Sequence, residues 1–267
     1  MSATVRGRLN EVHFVDEKTV KKIGVAQEEI RPSRLEVEAW ALTLARKRGV
    51  SVPQILDYYR DTEGREVLIL ERVNGVTFRS RPSPEEAGLL RSVGAQMMLL
   101  GGASYGYGWI DPPVFAGRFE NWSSFIVSYA DCYGKRLTDN GVLGVAAFGN
   151  IQRAVEEHDF SLFQPYLLNR DLKPRNLLKD CAGRVWILDW ENVILGDPLF
   201  DLAIFGVREG HAAGWDALRK GYGVETLPAR YLLYEVVCLV GILNFYVKHG
   251  IRCLTKQRQL DRLIRRL

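Results

Sequence analysis

A chain of 267 residues that is 47% hydrophobic is globular, and long enough for one two-lobed domain or two small ones. A net charge of +4, with a pI near 8.8, is too mild to argue for a nucleic-acid partner. No apolar run is read as reaching bilayer length, the polar start MSATVRGRLN is no signal peptide, and the four scattered cysteines lack metal or disulfide spacing, so a cytoplasmic protein without a membrane partner is expected.

Three short strands are predicted first: Thr4–Leu9, Glu11–Val15 and Thr19–Ile23. The bend Gly7-Arg8-Leu9-Asn10 lies between the first two, where a glycine lets backbone N–H groups approach a phosphate. Lys21 and Lys22 end the third strand, and alternation sends them to opposite faces, so one of the two can enter a cleft. The amphipathic helix Arg34–Arg48 carries Glu36 and Glu38 roughly 200° apart, so only one can face the sheet. Glu38 shares its face with Ala41, Leu42 and Ala45 and is the better candidate, with Glu36 left open.

Strands at Ile55–Tyr59 and Glu66–Leu70 follow, and the run Glu71-Arg72-Val73-Asn74-Gly75 turns polar at a glycine, as a connector between lobes would. The division expected is an N-terminal nucleotide-binding lobe over residues 1–73 and a larger C-terminal lobe over 74–267. Ser83-Pro84-Glu85-Glu86 caps a helix running to about Leu100. A glycine- and aromatic-rich loop, Gly101–Trp109, comes next, then helices at Trp122–Leu137 and Val142–His158. Beyond the central stretch, Gly214–Tyr222, Ala229–His249 and the basic tail Ile251–Leu267 read as helical.

That central stretch, Leu167 to Phe205, carries Asp171, Asp189, Asp197 and Asp201. An Asp-x-x-x-x-Asn loop, Asp171 to Asn176, precedes the strand-like run Val185–Leu188, which ends in Asp189. A magnesium–nucleotide site needs this chemistry: one carboxylate beside the accepting hydroxyl, and a carboxylate with an amide oxygen for the metal.

Taken in order, the strand lysine, helix glutamate, hinge, Asp171 with Asn176, Asp189 and Gly196-Asp197-Pro198-x-x-Asp201-Leu202-Ala203 resemble the aminoglycoside phosphotransferase family. The resemblance implies a protein-kinase-like, two-lobed α+β fold. An N-terminal antiparallel sheet with one helix would sit on a larger, mainly helical C-terminal lobe. It also implies ATP (or GTP) and Mg2+, with Asp171 as catalytic base and Asn176 and Asp189 as metal ligands. Lys22, which precedes Ile23-Gly24 as the family's lysine does, would contact the α/β-phosphates and pair with Glu38. Gly7 and Asn10 match the phosphate bend, Glu71 and Val73 the backbone hinge, and Leu178 the adenine floor; Asp197 and Asp201 match buttresses of the loop.

Where the family carries His-Gly before its aspartate, this chain has Asn169-Arg170, and Lys173-Pro174-Arg175 follows as in eukaryotic protein kinases. Lys173 is therefore a candidate for the γ-phosphate. Only Trp190–Leu195 separates Asp189 from Gly196-Asp197, which leaves no interval for a peptide-docking segment. A small hydroxylated acceptor is expected, and a compact protein kinase or a non-catalytic nucleotide-binding module are the alternatives. Aminoglycosides are polycations, yet Phe205–Leu267 holds five acids against eleven bases. Such a balance suits a nucleoside, sugar or peptide antibiotic better, unless Glu120, Asp131 and Glu191 supply the missing charge.

Overall fold

The protein is described by a computed structural model over residues 4–6, 10–24, 34–79, 82–102, 104–161, 164–210 and 214–267. Strands β1 (Thr4–Arg6), β2 (Asn10–Phe14), β3 (Thr19–Gly24), β4 (Ile55–Arg60) and β5 (Glu66–Glu71) form one antiparallel sheet in the order β1-β2-β3-β5-β4. Helix α1 (Arg34–Lys47) covers it, burying Leu35, Glu38, Ala41, Leu42 and Ala45 at helical spacing. Strand β5 runs through the sheet interior, which accounts for its unbroken apolar run from Val67 to Leu70. Lys22 pairs across with Leu68 and is buried, while Lys21 on the opposite face is half-buried.

The larger lobe opens with β6 (Val76–Thr77) and α2 (Pro84–Met98). Ser83 accepts from the Glu86 amide and Glu86 reaches back to the Ser83 amide, the capping box read from the sequence. Next, the structure departs from the predicted loop: β7 (Tyr107–Asp111) and β8 (Ala116–Phe119) form a hairpin. Its glycines serve close packing rather than disorder, since a Cβ on Gly117 would lie 2.1 Å from the Tyr107 nitrogen.

Helices α3 (Trp122–Asp139) and α4 (Val145–Glu156) precede β9 (Tyr166–Leu168), the hairpin β10 (Leu177–Lys179) and β11 (Val185–Ile187), and β12 (Ile194–Gly196). Strand β12 lies between β7 and β9. Among the described residues the lobe is completed by helices α5 (Pro198–Glu209), α6 (Trp215–Gly221), α7 (Arg230–Lys248) and α8 (Leu254–Ile264).

One expectation needs correcting. By length and composition α7 is apolar enough to cross a bilayer, although no run was read that way. The reason lies in the core: α7 packs against α3 and α5, and 67% of its apolar window is buried inside the protein. A helix enclosed on most sides is hydrophobic nearly all round.

Candidate active site

The loop carrying Asp171 leaves β9 and is held from beneath by α5. Asp201, on the first turn of α5, accepts from the backbone amides of Asn169 (2.8 Å) and Arg170 (2.7 Å). Burial pushes the Asp201 carboxyl up to about 6, against the pull of those two amides. Arg170 stands in the left-handed region (φ 60°), as does Asp189 (φ 62°), a conformation that non-glycine residues hold only when their surroundings enforce it. The guanidinium of Arg170 lies 4.6 Å over the Trp109 ring and donates to the Tyr129 hydroxyl at 3.0 Å. Asp197 caps α5 through the Leu199 amide (2.9 Å) and also takes Arg230 (3.1 Å) and the Tyr234 hydroxyl (2.9 Å). Both lower aspartates are thus spent on backbone and side-chain support.

Asn169 does work that the sequence did not announce. Its Oδ1 accepts from the Asp171 amide at 3.0 Å, and its Nδ2 donates to the Asp189 carbonyl at 3.1 Å. Asn176 adds a second link, its Nδ2 reaching Asp171 Oδ2 (3.0 Å), the Asp171 carbonyl (3.0 Å) and, at 3.5 Å, Asp189 Oδ2. With Nδ2 so committed, Oδ1 is the atom Asn176 would offer a cation.

From the sheet side, Lys22 Nζ donates to both oxygens of Glu38 at 2.8 Å and to Asp189 Oδ1 at 3.1 Å. Of the two lysines and two glutamates open in the sequence, Lys22 and Glu38 are the pair that meets. Burial opposes the Lys22 charge, but the carboxylates of Glu38, Asp189 and Glu191 outweigh it and hold the ammonium well above the lysine range. Asp189 shows the mirror image: burial raises it, and Lys22 more than compensates, leaving it below the usual carboxylate range.

Glu38, Asp189 and Glu191 bring oxygen atoms within 4.8 Å of one another. Burial and its two acidic neighbours push Glu191 up to about 7, a sign of surplus negative charge. Clustered hard oxygen donors with charge to spare fit Mg2+. Glu191 was reserved as an acid for a polycationic acceptor, but it sits on the nucleotide side, where Asn10 Nδ2 donates to it.

Of the remaining candidates, Gly7 lies outside the described residues. Asn10 is the first residue of β2, and its side chain turns to Glu191. The Glu71 amide is taken by the Gln54 carbonyl, whereas the backbone N–H and C=O of Val73 have no hydrogen-bond partner among the described residues. Leu178 is buried on β10, directly under the connector: a Cβ on Gly75 would meet its Cδ2 at 2.2 Å. Lys173 Nζ pairs with Asp171 Oδ2.

Sequence reasoning missed Arg208, whose Nη1 donates to Asp171 Oδ1. Nothing in its neighbourhood separates it from the other C-terminal bases. A usable signal was present: seven residues after Asp201 on one helix, it shares the face that supports the loop.

Residues 7–235 match the phosphotransferase enzyme family. The hygromycin-B 4-O-kinase of Escherichia coli is 24% identical over 162 residues, 58% of this chain and 47% of that protein, so the match spans about half the relative's length. Among solved structures, a thermostable mutant of the aminoglycoside phosphotransferase APH(4)-Ia, in ternary complex with AMP-PNP and hygromycin B, superposes with a TM-score of 0.77. It is 18% identical, with 99% of this chain and 93% of that one covered. A choline/ethanolamine kinase family protein from Mesorhizobium loti gives 0.62 at 24% identity, covering 100% of this chain and 86% of its own. At these identities the likeness speaks for the fold: a two-lobed, kinase-like α+β architecture.

Proposed function

The chain belongs to the phosphotransferase enzyme family, and from that premise we propose that it transfers the γ-phosphoryl group of ATP, with GTP as an alternative donor, to a hydroxyl of a small molecule. The observation that carries this reading is the joining of Asp171 and Asp189 through Asn169 and Asn176, with the Lys22–Glu38 pair closing on Asp189. Phosphoryl transfer depends on positioning and charge stabilisation, and these links hold one carboxylate for the acceptor beside another for the metal.

In this reading Asp171 orients the hydroxyl and receives its proton. Lys22, fixed by Glu38, contacts the α/β-phosphates, and Lys173 neutralises charge at the γ-phosphate. Val73 offers its unpartnered backbone groups to the base, over Leu178. Asn176 Oδ1 and Asp189 would hold Mg2+, which when bound neutralises phosphate charge.

The structure favours a small acceptor over a protein. The short interval after Asp189 contains β12, hydrogen-bonded between β7 and β9, so it has no freedom to form a peptide platform. A nucleoside, sugar or peptide antibiotic suits the C-terminal charge balance better than a polycation does, and with Glu191 engaged at the nucleotide side one of the three compensating acids is removed. The test is nucleotide consumption against a panel of hydroxylated antibiotics and metabolites, with mass spectrometry for a phosphate adduct. Asp171→Ala should lower turnover by about 10³-fold while keeping nucleotide binding; normal turnover in that variant, or labelling of proteins alone, would sink the proposal.

A further inference from the structure

Asp171 is a base whose two oxygens are both occupied. Arg208 Nη1 donates to Oδ1 and, at 3.4 Å, to the Arg170 carbonyl, while Lys173 and Asn176 take Oδ2. Oδ1 keeps a second lone pair, so a hydroxyl that approaches it arrives beside the guanidinium. The acceptor group next to that hydroxyl therefore faces a charged donor, for which it can supply a partner.

The surroundings say what that is. The end of α5 that carries Arg208 is tied down by Lys256 of α8, whose Nζ donates to the carbonyls of Val207 and, at 3.4 Å, Arg208. Glu209, half-buried, lies close enough for Arg208, Lys256, Lys173 and Arg175 all to act on its carboxyl. The charges of four cations therefore act on one carboxylate besides Asp171. The Arg208 side chain is 32% exposed, and among the described residues its hydrogen bonds run through Nη1 alone. The rest of its planar fork is available to a ligand.

Resting on the phosphotransferase reading above, we propose that Arg208 selects acceptors bearing an oxyanion, a carboxylate or phosphate ester, next to the hydroxyl that is phosphorylated. The oxyanion takes the part of the guanidinium fork beyond Nη1, and the hydroxyl shares Oδ1 with Nη1. The hydroxyl proton then passes to Asp171 Oδ1, the hydroxyl oxygen forms the new bond to the γ-phosphorus, and the bond from that phosphorus to the bridging oxygen breaks as the nucleoside diphosphate leaves. A neutral acceptor gives the rest of the fork no charged partner. A polycation adds like charge beside Arg208, Lys173 and Lys256.

Calorimetric titration tests this on the full chain with the nucleotide site filled by AMP-PNP and Mg2+. The probes are inorganic phosphate and gluconate as oxyanions, glucose as the neutral control and hygromycin B as the polycation. The oxyanions should bind the wild type, lose tenfold or more in affinity in Arg208→Gln, and regain part of it in Arg208→Lys. Glucose and hygromycin B should not respond to either change. Absence of oxyanion binding, or equal binding in wild type and Arg208→Gln, overturns the inference. Turnover is read separately with the same compounds and the antibiotic panel. If none is phosphorylated the transfer reading falls, and the titration still decides the role of Arg208.

Discussion

The two sides of the catalytic loop carry opposite excesses of charge. On the sheet side three carboxylates, Glu38, Asp189 and Glu191, face two cations, the buried ammonium of Lys22 and the Arg34 guanidinium 3.9 Å from Glu191. On the helical side Lys173 and Arg208 crowd one carboxylate, Asp171. The first arrangement wants a cation, and the second wants an anion. The six-residue loop from Asp171 to Asn176 carries two members of the helical-side set, Asp171 and Lys173, and reaches the sheet side through Asn176, whose Nδ2 donates to Asp189 Oδ2 at 3.5 Å, so the boundary between the two fields runs along it. In the proposed reading this separation has a use, because metal and phosphates would meet on one side and the acceptor would enter from the other.

Breaking the sheet side should have the largest effect on stability. Lys22→Ala leaves Glu38, 1% exposed at its side chain, and Asp189 without their shared counter-ion. Removing one partner of a buried pair costs about 3–5 kcal/mol. Urea unfolding should register that loss, together with weakened nucleotide affinity; an unchanged midpoint would show that the pair contributes nothing.

The support beneath the loop comes next. A carboxyl raised from 3.8 to about 6 in the folded state binds its proton more tightly there than in the unfolded chain. Its contribution to stability is present below pH 4 and is lost as pH rises through about 6. For Asp201 that difference is on the order of 3 kcal/mol. Asp201→Asn should lower stability overall but flatten the decline between pH 4 and 6. Parallel pH profiles for wild type and variant would contradict the assignment.

The smallest effect should sharpen the contrast between metal ligand and scaffold. Asp197→Ala removes the α5 cap, with a loss of about 1–2 kcal/mol in melting experiments, and should leave Mg-dependent nucleotide binding in place. Asp189→Ala should do the reverse, abolishing that binding with little change in melting. If both variants lost binding equally, the division between chemistry and support would be wrong.

What could be read from sequence was whatever depends on near neighbours. The Ser83–Glu86 capping box, the alternation that puts Lys21 and Lys22 on opposite faces, and the helical spacing that turns Glu38 inward all follow from geometry within a few residues. The strand-forming β7–β8 segment was hidden because its glycines resemble a loop until the opposite strand that needs the space is known. Asn169 was similarly opaque: its side chain joins Asp171 to the Asp189 carbonyl across 20 residues of chain.

The sequence by itself settled the order of chemical groups along the chain, and with it the family and the expected nucleotide chemistry. Only the tertiary structure decided how those groups share charge. Arg208 stands 37 residues beyond Asp171 and Glu191 181 residues beyond Asn10. Coulombic and hydrogen-bonding partners at such separations are chosen by how α5 and the sheet pack around the loop; helical spacing gives the face on which Arg208 lies but not the partner it meets.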